Sequence, residues 1–311
     1  MARVPPLTNS AATSAEVHQS NKGIAFGAGA YVIWGMFPAF WPLLAPAAST
    51  EILAHRVAWS LAFMLLVTAV LGRWAGLRRL SRRGWLMVAA ASALIAVNWG
   101  VYIYAVNTGH VVEAALGYFI NPLVSVLLGV LVLRERLRGL QYAALAIAVA
   151  AVVVLAVDYG RLPWISLVLA CSFGVYGLIK KTVPLDATSS LTAESMVLGP
   201  VAVGYLVWLG GAGTFHDHGL GHAALLVSTG LVTAVPLMLF GAGARRVPLT
   251  TMGMLQYLAP VLQFAWGVFV VHEPMPASRW FGFAMVWAAL ALFTADAVRS
   301  RRRTRLLAPI E

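Results

Sequence analysis

Polar residues in this chain come in short clusters, and long apolar runs lie between them. A bilayer's hydrocarbon core of roughly 30 Å takes about 20 apolar residues of α-helix. On that measure ten runs qualify: 23–44, 52–72, 85–107, 111–133, 139–157, 163–180, 190–210, 221–243, 248–271 and 278–297. Only Thr108, Gly109 and His110 divide the third from the fourth. The expected class is an all-α polytopic membrane protein with ten transmembrane helices. Residues 1–21 are polar and lack the apolar core of a cleavable leader, so they read as a disordered cytoplasmic tail. Residues 298–311 read as a basic cytoplasmic tail.

Composition agrees with that class. Of 311 residues 60% are hydrophobic and 11% charged, against about 25% charged in a typical soluble domain. A net charge of +11 would suit nucleic acid if the charges shared one face. Here they sit in loops, so the expected partner is the lipid bilayer and not nucleic acid. With the N-terminus inside, the loops alternate in basic content. All but three of the 22 Lys and Arg fall on the inner side; Arg161 and Arg279 fall outside, and Arg56 lies within a span. One helix more or fewer would scramble this alternation, which places both termini in the cytoplasm. The lone Cys171 excludes a disulfide framework.

The spans also repeat. Pro122 and Pro260, Gly129 and Gly267, and Glu135 and Glu273 are each 138 positions apart, and so are Phe119 and Tyr257 before the prolines. That offset halves the chain into five-helix units, 22–158 and 159–297. Five is odd, so the second half enters the membrane upside down. Two inverted five-helix repeats with interrupted helices at matching places are a design of secondary transporters, whose sites lie at the repeat interface.

Ionisable groups inside spans cost roughly 2.5–3.5 kcal/mol each and point to function. Three stand out: Arg56 beside His55 in the second span, Glu113 in the fourth and Glu194 in the seventh. Arg56 and Glu194 keep the same 138-residue offset. At 100° per residue, His110, Glu113, Gly117 and Asn121 share one face, as do Asn98 with Tyr102, and Trp34 with Pro38 and Trp41. Met252, Gln256 and Gln263 form another stripe, and Ser172, Tyr176 and Lys180 a further one. Such faces point into the bundle or a wet cavity. Plainer roles exist for each. Glu113 and His110 can be a helix-end pair, Arg56 can be structural glue with Glu51, Glu113 or a backbone carbonyl, and Trp34, Trp41 and Trp99 can be packing or interfacial belt. Glu135 and Glu273 suit loop or cap roles, and Lys180 suits snorkelling to the interface.

Other chemistry is missing. There is no phosphate-binding Gly-rich loop, no His-Glu-x-x-His zinc pair and no Cys cluster, so neither cofactor nor metal is expected. His216, His218, His222 and Asp217 cluster in one outside loop, where they have the residue types to bind a metal but read more simply as a solvated polar segment. No nucleophile triad is present, so no catalytic residue is assigned.

The motifs carry a family resemblance. Glu51-Ile-Leu-Ala-His-Arg, Asn98-Trp99, Ala105-Val106-Asn107 through Gly109-His110, Glu113-Ala114 and Leu116-Gly117-Tyr118-Phe119-Ile120-Asn121-Pro122-Leu123 resemble the RarD branch of the EamA-type drug/metabolite transporters. So do Ser172-Phe173-Gly174 with Tyr176-Gly177, and Pro248-Leu249-Thr250 with Leu255-Gln256-Tyr257 and Pro260. The resemblance spans about residues 22–297. It implies the bacterial cytoplasmic membrane, ten helices in two repeats, and transport of a small organic compound. Its motif positions are His55, Arg56, Asn98, Trp99, Asn107, Glu113, Tyr118, Asn121 and Gln256. The expectation is therefore a secondary transporter alternating access by rocking its two halves. Arg56 would take an anionic group, Trp34 and Tyr176 would stack on the organic part, and Glu113 or Glu194 would carry a coupling proton. The other class to weigh is a membrane-integral enzyme or sensor using the same cavity.

Overall fold

The structure, a computed structural model, describes residues 10–134, 137–180, 182–247 and 249–306. Glu135, Arg136, Lys181 and Pro248, which figure in the sequence reading, lie outside the described residues, as do residues 1–9 and 307–311.

Among the described residues every regular element is helical. Helix α1 spans Ser10–Gly35, beginning inside the stretch read as a tail, and short α2 (Phe37–Phe40) follows with a one-turn 3₁₀ segment, Trp41–Leu44. The chain bends 43° between Gly35 and Phe37. Pro38 explains part of the break: it has no N–H, so the Trp34 carbonyl four residues back loses its helical donor. Helix α3 (Ser49–Val70) descends, and α4 (Trp74–Arg78) turns the chain into α5 (Arg82–Asn107), which the Ser81 hydroxyl caps by accepting from Gly84 N at 3.1 Å. Then come α6 (Val111–Leu133) and α7 (Gly139–Tyr159), the latter stopped by Gly160 at φ 63°, which only glycine adopts freely.

The second half runs α8 (Trp164–Lys180), α9 (Ala187–Leu209), α10 (Gly219–Ala244), the broken pair α11 (Leu249–Leu255) and α12 (Leu258–Phe269), and α13 (Ala277–Leu306). Asp186 caps α9 by accepting from Thr188 N and Ser189 N at 3.0 and 3.2 Å. Partial burial would raise that carboxyl, but the two hydrogen bonds from Ser189 and the Arg73 pair together hold it below the usual carboxylate range.

Seven helices are each long and apolar enough to cross a membrane, and the bent first segment makes an eighth. Helix α8, at 17 residues, and broken α11/α12 fall short of that length. Val70, Val157, Val207 and Trp208 are about three-quarters exposed along the outside, which suits lipid. The protein is a multi-pass membrane protein. Its helix ends form an Arg-rich end, where α5, α7 and α9 start, and an Arg-poor end, where α3, α6, α8, α10 and α13 start.

Small residues set the helix spacing. A Cβ on Gly230 of α10 would come within 2.6 Å of the Trp59 backbone of α3, and one on Gly117 of α6 within 2.9 Å of the Ser166 carbonyl of α8. At these crossings only glycine lets the backbones meet. One apolar core, with Phe119, Leu155, Phe264 and Phe283, joins α6, α7, α12 and α13. A second, with Trp41, Tyr102, Ile103, Leu169 and Leu226, fills the centre. That second core surrounds the buried arginine.

Candidate functional site

Arg56 lies seven residues into α3 from the Arg-poor end, about 10 Å along the axis, and is 3% exposed. Its Nε donates to Thr233 Oγ1 of α10 at 2.8 Å, and Thr233 Oγ1 in turn donates to the Thr229 carbonyl at 2.9 Å. The guanidinium carbon sits 3.9 Å from the Trp99 ring centre, 5.1 Å from Trp41 and 5.6 Å from Phe37. Among the described residues no carboxylate lies within ion-pair distance of it. Aromatic faces stabilise a desolvated cation by about 2 kcal/mol, well short of the several kcal/mol that burying a lone ion costs. The cage therefore holds a cation that lacks its counter-charge.

Both carboxylates considered as partners for Arg56 are engaged elsewhere. Glu51 Oε1 accepts from Thr214 N at 2.6 Å and Thr214 Oγ1 at 3.0 Å. Glu113 pairs with Arg161 Nη2 at 2.8 Å and accepts from Ile165 N, at the start of α8, at 3.2 Å; the bond to Glu113 raises the Arg161 pKa. Glu273 closes the start of α6 by accepting from Val111 N and Val112 N at 2.5 and 3.1 Å. Burial pushes the Glu273 carboxyl up to about 7, against the lowering effect of those two N–H groups. At the Arg-poor end, then, three carboxylates satisfy backbone N–H groups at or before helix starts supplied by other elements.

Beside the Arg56 cage runs a polar chain on α5, α6 and α8. Tyr102 meets Tyr118 edge to face at 5.6 Å. Tyr118 OH donates to Asn98 Oδ1 at 3.2 Å, and Asn98 Nδ2 donates to the Leu169 carbonyl and to Ser172 Oγ at 2.9 and 3.0 Å. Trp34 packs against Tyr31 and Phe240, and its orphaned carbonyl accepts from Gln263 Nε2 at 3.1 Å. Buried Trp41 Nε1, Tyr102 OH and Gln263 Oε1 have no hydrogen-bond partner.

A second cluster sits toward the Arg-rich end. Glu194, seven residues into α9 and 3% exposed, accepts from Lys180 Nζ at 2.8 Å, Ser190 Oγ at 2.9 Å and Tyr176 OH at 3.1 Å. Lys180 also donates to the Tyr176 hydroxyl. This carboxylate is fully committed.

The expected residues thus divide. Arg56, Trp99, Asn98 and Tyr118 gather at the centre, with Trp34 linked to them through Gln263. Tyr176 belongs with Glu194, away from Arg56. His55 points toward the Arg-poor end, stacked on Phe215 with ring centres 5.1 Å apart and 4.0 Å from Glu51. Asn107 is exposed at the end of α5, and Gln256 is half-buried at the break between α11 and α12. Asn121 Oδ1 has no partner. Among the described residues no group of three or more His, Cys, Asp or Glu could hold a metal. Sequence reasoning missed Thr233, Phe37 and Phe215. Nothing marks Thr233 in its apolar helix, but a single aromatic inside the loop Thr214–His218 was a usable signal.

Long apolar helices around a buried, polar, charge-bearing centre define an integral membrane protein. The EamA-like transporter family matches residues 21–157. The chain is 56% identical over 292 residues to the Protein RarD of Streptomyces exfoliatus, covering 93% of each chain. It is 44% identical to the uncharacterized transporter YojE of Bacillus subtilis (strain 168), covering 92% of this chain and 98% of that one. The chain belongs to the EamA-like transporter family, in its RarD branch. A protein known from a crystal structure shares the fold with a TM-score of 0.58 at 17% identity, over 88% of this chain and 98% of that one. At that identity the likeness speaks to fold alone.

Proposed function

We propose that this protein is a secondary transporter carrying a small organic anion across the bacterial cytoplasmic membrane by alternating access, with both termini in the cytoplasm. The reading rests on one observation above the others: Arg56 is buried in an aromatic cage with no counter-ion among the described residues. A substrate carboxylate or similar group completes it, and Trp99, Trp41 and Phe37 receive the apolar portion.

Ten spans in two inverted halves remain part of the proposal. Helix α8 would be about 26 Å long, enough for a thinned or snorkelled end, and α11 with α12 would make one broken span. Packing is symmetric under the 138-residue offset: α6 lies on α8 as α12 lies on α1, α5 on α8 as α10 on α1, and α3 on α10 as α9 on α5. The family match over 21–157 covers nearly the first half alone.

The same offset relates two loops that close the ends. Phe215 turns in from the Arg-poor loop, stacked near His55 and Trp59 and packed against the central core. Its counterpart by offset is Leu77 of α4, 5% exposed and packed with Val88, Val183 and Ala193. We read them as the outer and inner plugs of one pathway. Of the two carboxylates considered for a coupling proton, Glu194 is retained, because protonating it frees Lys180 at the inner mouth. Glu113 instead ties Arg161 to the start of α8.

The test is ligand-induced thermal stabilisation of purified protein across a panel of small organic anions, then counterflow in proteoliposomes with the hits. Hits should lose their effect in Arg56→Gln, and transport should respond to a pH gradient until Glu194 is neutralised. Anion binding that ignores Arg56→Gln would end the anion reading.

A further inference from the structure

Three buried atoms around the Arg56 cage lack hydrogen-bond partners, and they differ in kind. Trp41 Nε1, on a ring already 5.1 Å from the guanidinium, can only donate. Tyr102 OH does either. It lies within electrostatic reach of Arg56 and Tyr118, and the Gln263 side chain is placed to hydrogen-bond it, though the two stop short of hydrogen-bond distance. Gln263 Oε1, on a side chain 3% exposed, can only accept.

Which Gln263 atom is left over is fixed by the first span. Pro38 deprives the Trp34 carbonyl of its donor, a carbonyl can only accept, and Gln263 Nε2 meets it at 3.1 Å. With the nitrogen held there, the oxygen is the atom in want of a partner. Donors therefore lie on the Arg56 side of the cage, and the Gln263 Oε1 acceptor lies across Tyr102 on α12. An inorganic cation would satisfy Gln263 Oε1 only by facing the Arg56 charge in a low-dielectric centre, which is unfavourable. A neutral or weakly charged N–H or O–H group attached to an anion fits both ends.

We propose that Gln263 Oε1 is a second recognition point, and that the substrate is an organic anion carrying an N–H or O–H donor beside its anionic group. This rests on the reading of Arg56 as the anion site. A site built to bond a substrate donor discriminates strongly against the analogue that lacks it, because a buried acceptor is then left unmade. Gln263 would thus set specificity, where Arg56 sets charge.

The experiment uses full-length protein in detergent and measures affinity for hexanoate, its α-hydroxy and α-amino derivatives, and the corresponding series built on phenylpropanoate. In wild type, the α-hydroxy members should bind at least about tenfold tighter than the parent acids, while the α-amino members, whose ammonium is fully charged beside Arg56, should gain no such preference. Gln263→Met should abolish that preference and leave parent-acid affinity within about threefold. Should that variant fail to fold, Gln263→Glu serves: its added negative charge should move the preference from hydroxy to amino derivative. Equal affinity of parent acids and α-hydroxy derivatives for wild type overturns the donor proposal while leaving the anion site standing. So does a preference that survives in folded Gln263→Met, or one that Gln263→Glu leaves unmoved. Binding unaffected by Arg56→Gln, or no binding by any member, removes the anion reading and this inference with it.

Discussion

Arg56 and Glu194 occupy matching places, each seven residues into its helix and 138 positions apart, yet their surroundings differ completely. Glu194 is met by a lysine, a tyrosine and a serine from its own half. Arg56 is met by aromatic rings and one hydroxyl, and by no opposite charge among the described residues. Two such groups can stem from one ancestral position and still come to do different work. Glu194 joins α8 and α9 through bonds already made, whereas the missing counter-charge at Arg56 is what our proposal assigns to a ligand. Burial alone would not have separated them, since both are 3% exposed.

Four measurements would break or sharpen this contrast. The largest effect belongs to Arg56→Gln, which should cut affinity for organic anions about a hundredfold or more, as expected for a desolvated charge-assisted bond. Its own melting temperature should hold or rise, because a buried cation has been removed. Glu194→Gln should do the reverse, lowering stability by about 1–3 kcal/mol, a figure reduced because Lys180 is 30% exposed. Lys180→Met combined with it should recover most of the loss in a double-mutant cycle on chemical denaturation.

The plugs come next. In a Cys171→Ser background, Ser60→Cys sits fully buried one turn beyond Arg56. A charged thiol reagent should label it several-fold faster from outside after Phe215→Ala, and from inside after Leu77→Ala. Unchanged labelling in both would sink the paired-plug reading. The smallest effect concerns Glu273, whose carboxyl is raised from 4.5 to about 7. The folded protein keeps this proton where the unfolded chain has released it, so stability is greatest below about 4.5 and falls as pH rises through about 7. The loss is at most about 3 kcal/mol, reduced by solvent screening at this partly exposed carboxyl, and a melting-temperature profile against pH should flatten in Glu273→Gln.

Much of the fold was legible because lipid imposes simple rules. Apolar length and the siting of arginines outline the bundle, and Pro38, Pro122 and Pro260 flag places where helices lose a bond. What each proline does was not legible. Helix α6 runs unbroken through Pro122 with Leu116, Phe119, Ile120 and Leu123 buried around it, whereas Pro260 sits just past a true break whose residues 253–258 are mostly half-buried. Dense packing holds one helix straight, and its absence lets the other open. At the site, an arginine inside an apolar run announces itself, but Thr233 stands 177 positions away with nothing to mark it. The carboxylate at Glu113 looked like a proton carrier on its helix face. Its partners, Arg161 and Ile165, lie beyond the next helix, and no local pattern encodes that reach.

The bare crossing at Gly230 has one more effect. It brings α10 onto the backbone of α3 at Trp59, three residues from both Arg56 and Thr233. These two helices come from opposite halves of the chain, and they meet there with Gly230 against the Trp59 backbone and Cβ. A swing of one intact half against the other would have to tear this seam along with the hydrogen bond that steadies the arginine. The line of duplication in the sequence therefore runs through one of the closest helix contacts of the fold. Helices α3 and α10 meet backbone to backbone there, and Arg56 sits about one turn from the contact.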